Sequence, residues 1–152
     1  MSLPDQIPPV ELDAVLIEQV ITNLITNAAY HTPAGSPIDV CIQVRTEQLT
    51  DVQDSHGDGI VKEGEQKAII VSIADRGPGI ALAEQEHIFD KFYRVLGQTQ
   101  MSGEKRGSGL GLAICRGLVE AHSGRIWIAS REGGGAVLSF TLPLSNTDEL
   151  EL

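Results

Sequence analysis

The chain has 152 residues, 41% apolar and 21% charged, a globular rather than a disordered composition with enough length for one domain around a buried core. No apolar run approaches the roughly 18 residues of a membrane-spanning helix, and Cys41 and Cys115 are too few for a disulfide scaffold and lack metal-ligand spacing. The 11 basic and 21 acidic side chains leave a net charge of −10, which excludes duplex DNA as a partner, since that binding rests on clustered Lys and Arg.

Residues 1–10 hold three prolines, lack the basic and apolar regions of a signal peptide, and read as an extended lead-in or a cloning scar. Asp13 is a candidate N-cap. Leu16, Ile17, Val20, Ile21, Leu24 and Ala28 then recur at three- and four-residue spacing, which predicts a helix to about Tyr30. Pro33 ends it. Ile38, Val40, Ile42 and Val44 alternate with polar residues, the pattern of a half-buried strand. Residues 46–67 are polar and acidic and predict an inserted hairpin loop; Asp51, Asp54 and Asp58 lack the spacing of a calcium loop. Ala68–Ala74 is a buried strand, and a short helix covers 82–88. Residues 95–108 are loop-like. A second helix runs from Ser108 or Gly109 to about His122 and stops at Ser123-Gly124. Strands at Arg125–Ser130 and Ala136–Leu142 flank the turn Glu132-Gly133-Gly134-Gly135, and a polar tail fills 145–152. The order predicts an α+β fold: a two-layer sandwich with a mixed, mostly antiparallel sheet and about three helices on one face.

Four stretches carry chemistry. Asn23 and Asn27 share a helix face at the margin of the apolar stripe. Their amides either bond nearby backbone and water or offer oxygens to a hard cation such as Mg²⁺. Asp75 follows a buried strand and precedes Gly77-Pro78-Gly79; it makes an Asx-turn or accepts an N–H from a base such as adenine. Gly107-Ser108-Gly109-Leu110-Gly111 runs into a helix, as a hinge or as an anion cradle. It is neither a dinucleotide fingerprint nor a Walker A loop. In Ile88-Phe89-Asp90-Lys91-Phe92-Tyr93-Arg94-Val95 the aromatics are core anchors, or Phe89 and Phe92 pin the base of a lid while Lys91 and Arg94 face phosphate. The second reading gains from charge distribution. Residues 1–67 carry three basic and eleven acidic side chains, whereas Lys91, Arg94, Lys105 and Arg106 face Glu104 alone within 91–106.

In this order the four stretches closely resemble the ATP-binding domain of the sensor histidine kinases, in the superfamily shared with type II topoisomerases, a major heat-shock chaperone and the mismatch-repair ATPases. The resemblance covers roughly residues 11–144. Asn23–Pro33 resembles the family's N box, Asp75–Gly79 its first glycine box, Phe89–Arg94 its F box and Gly107–Ile114 its second glycine box. Residues 92–95 and 111–127 are also similar to the potassium-responsive osmosensing kinases.

The resemblance implies Mg²⁺ on Asn27 with Asn23 beside it, Asp75 on the adenine amino group, and Gly77, Gly79 and Ile80 shaping the adenine pocket. It implies Arg94 and Lys91 at the terminal phosphates, and a lid over 95–108 hinged at Gly107, Gly109 and Gly111, with Ser108 and Leu110 as backbone donors. Asn23, Asn27 and Arg94 would be the catalytic group. Leu112, Thr141, Tyr30 and His31 complete the expected nucleotide site, with Thr141 backing adenine. Tyr30 and His31 depart from the Lys and Tyr common there; the missing Lys removes a phosphate contact and His31 supplies part of it or stays half-exposed.

The family phosphorylates a histidine followed by an acid. His31, His56, His87 and His122 are followed by Thr32, Gly57, Ile88 and Ser123. The resemblance therefore implies a catalytic fragment, monomeric alone. It acts on a helical-hairpin dimerisation domain preceding residue 1 in a homodimeric sensor, passes phosphate to a response regulator, binds no nucleic acid, and sits on the cytoplasmic side of a membrane-bound protein. The alternatives are a stand-alone ATPase, whose relatives carry Glu where Asn23 stands, and a degenerate nucleotide-binding regulatory module. An anti-sigma-factor serine kinase shares the fold, and the full F box speaks against it.

Overall fold

A computed structural model describes residues 1–48, 65–95 and 109–144. Helix α1 spans Ala14–His31, and the Asp13 carboxylate caps it by accepting from Val15 N at 3.0 Å and Leu16 N at 3.1 Å. Ile17, Val20, Leu24 and Ala28 form its buried stripe. Thr32 leaves the helix in an extended conformation before Pro33, as the steric restriction ahead of proline requires.

Strands β1 (Asp39–Gln48) and β2 (Glu65–Ala74) pair antiparallel from Asp39–Ala74 to Gln48–Glu65. The predicted loop over 46–67 is thus corrected at both ends: residues 46–48 and 65–67 belong to the ladder. Backbone pairing needs no apolar side chains, so the polar composition hid it. Residues 49–64 of that insertion lie outside the described residues, as do 96–108 of the expected lid and the tail 145–152.

Helix α2 is a single turn, Leu82–Gln85, shorter than the predicted 82–88, and the chain continues in turns through Phe89. Helix α3 is Gly111–Ala121, starting later than predicted. Strands β3 (Ile126–Ser130) and β4 (Ala136–Pro143) close the sheet in the order β1-β2-β4-β3. All three ladders are antiparallel; a parallel bridge from Ser2 to Cys41 adds the lead-in to the β1 edge.

Alternation along the strands sends one face to the helices. Val40, Ile42 and Val44, then Ile69, Val71 and Ile73, then Leu138, Phe140 and Leu142, and Ile128 pack on the buried stripes of α1 and α3. Each fully buried Ile, Leu or Phe here contributes about 1.5–3 kcal/mol. The result is the α+β two-layer sandwich expected, with Asp75 at the end of β2 and the start of α3 on the helical side.

Candidate functional site

Asp75 continues β2 by one rung: its N–H donates to Ala136 O at 2.9 Å. Its side chain is buried, and Oδ1 accepts from Gly77 N at 2.8 Å and Ala136 N at 3.2 Å. The Asx-turn is therefore real. It uses one carboxylate oxygen, so it holds the side chain in place without consuming both oxygens. Gly79 has φ +76°, a conformation open to glycine, and a Cβ there would meet the Gly135 carbonyl at 3.2 Å. A Cβ at Gly77 would lie 2.5 Å from the His31 carbonyl, so the end of α1 and this loop touch backbone to backbone. Ile80, half-buried, packs against the core beside them. Arg76 points elsewhere: its guanidinium donates to Pro37 O and Asp39 Oδ2, both at 2.7 Å. That guanidinium holds the Asp39 carboxyl below the usual carboxylate range.

Asn23 and Asn27 are half-buried on α1, between buried Val20, Leu24 and Ala28. Across from α1, the Cys115 thiol on α3 is fully buried, and its S–H points to Val20 O at 3.9 Å. Burial pushes that thiol up. Tyr30 is 68% exposed, its ring edge-on to the half-buried His31 at 5.1 Å.

In the F-box stretch, Ile88 and Phe89 are buried. Phe92 is not: it is 69% exposed, with φ 64°. This corrects the expectation that Phe89 and Phe92 together pin the lid base. The left-handed backbone at Phe92 turns its side chain outward while its N–H donates to Gly109 O at 2.9 Å. Tyr93 is the second anchor; its ring lies 5.6 Å from that of His87 and its hydroxyl bonds Glu84. Partial burial and that carboxylate push its phenol up. Lys91 and Arg94 are both exposed on this segment.

The Phe92–Gly109 bond joins the F-box stretch to the second glycine stretch. Gly109 has φ +72°, and a Cβ would come within 3.0 Å of Phe92 Cα. Helix α3 starts two residues later with no side-chain cap at Leu110 and no acid in its first turn, which leaves the positive end of its dipole uncountered by an acid there. Open space surrounds Gly111, and Leu112 packs inward. Gly107 and Ser108 lie outside the described residues.

Thr141 requires correction. Leu138, Phe140 and Leu142 face the core, so Thr141 faces the opposite side of the sheet. Its hydroxyl accepts from Arg125 N at 3.1 Å, and it does not back Asp75. That position is taken by Gly135 and Ala136. Gly135 has φ +103°, and a Cβ on it would run into the Asp75 carbonyl. The only sequence signal for this was the triple glycine, which reads as a hairpin turn alone.

Among the described residues no group of three His, Cys, Asp or Glu could hold a metal ion. The donors available are amide oxygens on α1. They fit a hard cation that keeps most of its waters and takes further oxygens from phosphate, as Mg²⁺ does, and they do not fit a thiolate- or imidazole-seeking metal.

Residues 12–146 match the family described as Histidine kinase-, DNA gyrase B-, and HSP90-like ATPase. The chain is 37% identical over 143 residues to the adaptive-response sensory kinase SasA of Microcystis aeruginosa, covering 94% of this chain and 31% of that protein. It is 34% identical over 143 residues to the sensor protein KdpD of Clostridium acetobutylicum, covering 94% and 13%. Among solved structures, the nucleotide-free catalytic domain of histidine kinase ThkA matches with a TM-score of 0.56 and 30% identity, over 89% of this chain and 71% of that one. The chain thus spans 31% and 13% of the length of these two curated relatives.

Proposed function

This chain belongs to the histidine kinase-, DNA gyrase B- and HSP90-like ATPase family, as the catalytic ATP-binding domain of a sensor histidine kinase, and from that premise we propose that it binds Mg-ATP and transfers the γ-phosphoryl group to a histidine on a separate helical-hairpin dimerisation domain. The observation that carries the reading is Asp75, a buried carboxylate at a strand end, clamped on Oδ1 by Gly77 N and Ala136 N. A fixed acceptor with glycines on either side suits the exocyclic amine of adenine, with Gly77, Gly79 and Ile80 shaping the pocket.

Phosphoryl transfer asks chiefly for positioning and neutralisation of charge. Asn27, with Asn23 beside it, would hold Mg²⁺, which supplies charge neutralisation on the phosphates when bound. Lys91 and Arg94 bring basic charge on the segment tied to Gly109, and the uncapped start of α3 adds backbone N–H groups. Gly107 to Gly111 would hinge the lid. Thr141 has no part in this reading.

The stand-alone ATPase is less well supported. Asn23 occupies the place where such relatives carry the water-activating Glu, and Glu18 is exposed on α1. Exposed Tyr30 in place of a Lys favours the regulatory-module reading, since one phosphate cation is absent. In this proposal the chain acts within a cytoplasmic part of a membrane-bound homodimeric sensor and serves a response regulator. Among the described residues, no helix is long and apolar enough to cross a membrane. Identities of 37% and 34% to two different sensor proteins leave the potassium-responsive subclass unselected.

Labelled ATP, Mg²⁺ and a helical-hairpin phosphoacceptor domain supplied as a separate chain test the proposal. Label on the hairpin histidine is the expected result. Phosphate released to water with no labelled hairpin supports the ATPase, and binding without any turnover supports the regulatory module.

A further inference from the structure

The first glycine loop is fastened at both ends to the β3–β4 hairpin. At its start, Asp75 exchanges two hydrogen bonds with Ala136: its N–H donates to Ala136 O and its Oδ1 accepts from Ala136 N. Before its far end, Gly79 lies against the Gly135 carbonyl. The far end itself is held by Gln85, a half-buried residue on the single turn α2. Gln85 Nε2 donates to Ile80 O at 3.0 Å and to Ser130 Oγ at 3.1 Å. Ser130 is the residue of β3 that pairs with Ala136. A peptide carbonyl only accepts, so the N–H₂ end of the Gln85 amide faces Ile80, and its two N–H groups match the two acceptors.

We propose that Gln85 is a positioning residue for the adenine pocket: by tying Ile80 to Ser130 it holds the far end of the glycine loop at a set spacing from Asp75. Between the two ends lie Gly77 and Gly79, and glycine loses more conformational freedom on ordering than any other residue. Such a loop keeps one shape only where both ends are held. Backbone bonds from Glu84 N and Gln85 N stop at Ala81 O, and Ala81 caps α2 without a side-chain bond. The Gln85 side chain is therefore what carries the hold back to Ile80. Asp75 supplies the acceptor for the base and Ile80 the apolar surface beside it, so the spacing between them decides whether one base meets both.

The inference rests on the reading of Asp75 and Ile80 as the adenine pocket, and the test separates the two. Calorimetry measures binding of ADP, and of IDP, whose base carries an oxygen in place of the adenine amine. The proteins are the unaltered chain, Asp75→Asn, Gln85→Glu, Ser130→Ala and the double variant of Gln85 and Ser130. Unchanged ADP affinity in Asp75→Asn overturns the reading of the pocket and, with it, the role of Gln85. Given a loss there, Gln85→Glu keeps the shape of the side chain and removes both N–H donors. It should lower ADP affinity about five- to tenfold and IDP affinity by less, so that the preference for ADP falls. Ser130→Ala removes one of the two acceptors; it should cost a smaller factor and add nothing in the double variant. Unchanged ADP affinity in Gln85→Glu, equal losses for ADP and IDP, or additive losses in the double variant each overturn the proposal. If Gln85→Glu does not fold, Gln85→Met, neutral and of similar length but without donors, takes its place under the same outcomes. The Gln85 side-chain amide signals in NMR of the unaltered chain give an independent reading: slowed exchange with solvent is expected, and free exchange overturns the two bonds.

Discussion

Asp75 serves the structure directly, and in the proposed site it would serve the chemistry as well. Oδ1 is occupied by two backbone donors, and Asp75 also extends the β2–β4 pairing through its own N–H. Asp75→Asn keeps an oxygen able to accept from Gly77 and Ala136, so the fold should stand. Its new amide N–H₂ would then meet the adenine amine donor to donor. An unmatched pair of this kind costs about 1–3 kcal/mol, so nucleotide affinity should fall about five- to 150-fold. Calorimetry with the ATP analogue checks this, and unchanged affinity with unchanged melting temperature would remove Asp75 from the adenine site. The Asx-turn of Asp75 was readable in the sequence, because a carboxylate at a strand end before Gly-Pro-Gly is placed to accept from the backbone that follows. Ala136 and Gly135 were not, because their part is played by backbone atoms that leave no side-chain signature. Thr141 was misplaced for a related reason: sequence gives its strand, whereas the face it occupies depends on which neighbours, here Phe140 and Leu142, fill the core.

At the scale of elements, periodicity located α1, β2, α3 and β4 well, since each buries one regular stripe or run. It failed where pairing is carried by backbone, as in the outer rungs Thr46–Lys67 and Gln48–Glu65 of the β1–β2 ladder. It failed also at Phe92, where the bond to Gly109 dictates a left-handed backbone that no local preference for phenylalanine would suggest. The link between the first glycine stretch and the start of β1 is likewise long-range. Arg76 spans Pro37 O and the Asp39 carboxylate, and the pKa of Asp39 is lowered chiefly by that hydrogen bond. A carboxyl with a depressed pKa stabilises the fold above its ordinary value and loses that contribution as pH falls through the depressed one. Urea denaturation of Asp39→Asn should therefore show a slightly lower stability than the unaltered chain at neutral pH. The gap should close in acid, once the pH has fallen through the lowered pKa and the native carboxyl is protonated too. A gap that persists unchanged in acid would show that the Asp39 contribution is packing rather than charge.

For the molecule as a whole, the net charge of −10 appears hostile to a triphosphate, and its distribution is what matters. Eleven of the 21 acidic residues fall within residues 1–67, and Asp51, Asp54, Asp58 and Glu63 lie in the insertion between β1 and β2. The ladder register sets where that insertion leaves the sheet: Gln48 pairs with Glu65 at one end, whereas Asp39 pairs with Ala74, next to Asp75, at the other. Nine residues of antiparallel strand separate the two ends, roughly 30 Å at about 3.4 Å per residue. That is about three to four Debye lengths at physiological ionic strength of about 0.15 M, so the acid at the insertion's strand ends is screened from Asp75. The direct pairing of Gln48 with Glu65 is also the geometry a two-residue hairpin turn closes. Replacing residues 49–64 by Asn-Gly should thus preserve the sheet, raise the net charge, and leave affinity for Mg²⁺ and the ATP analogue within about twofold at physiological salt. A loss of tenfold or more in calorimetry, with the melting temperature unchanged, would place the insertion at the nucleotide site in spite of the register.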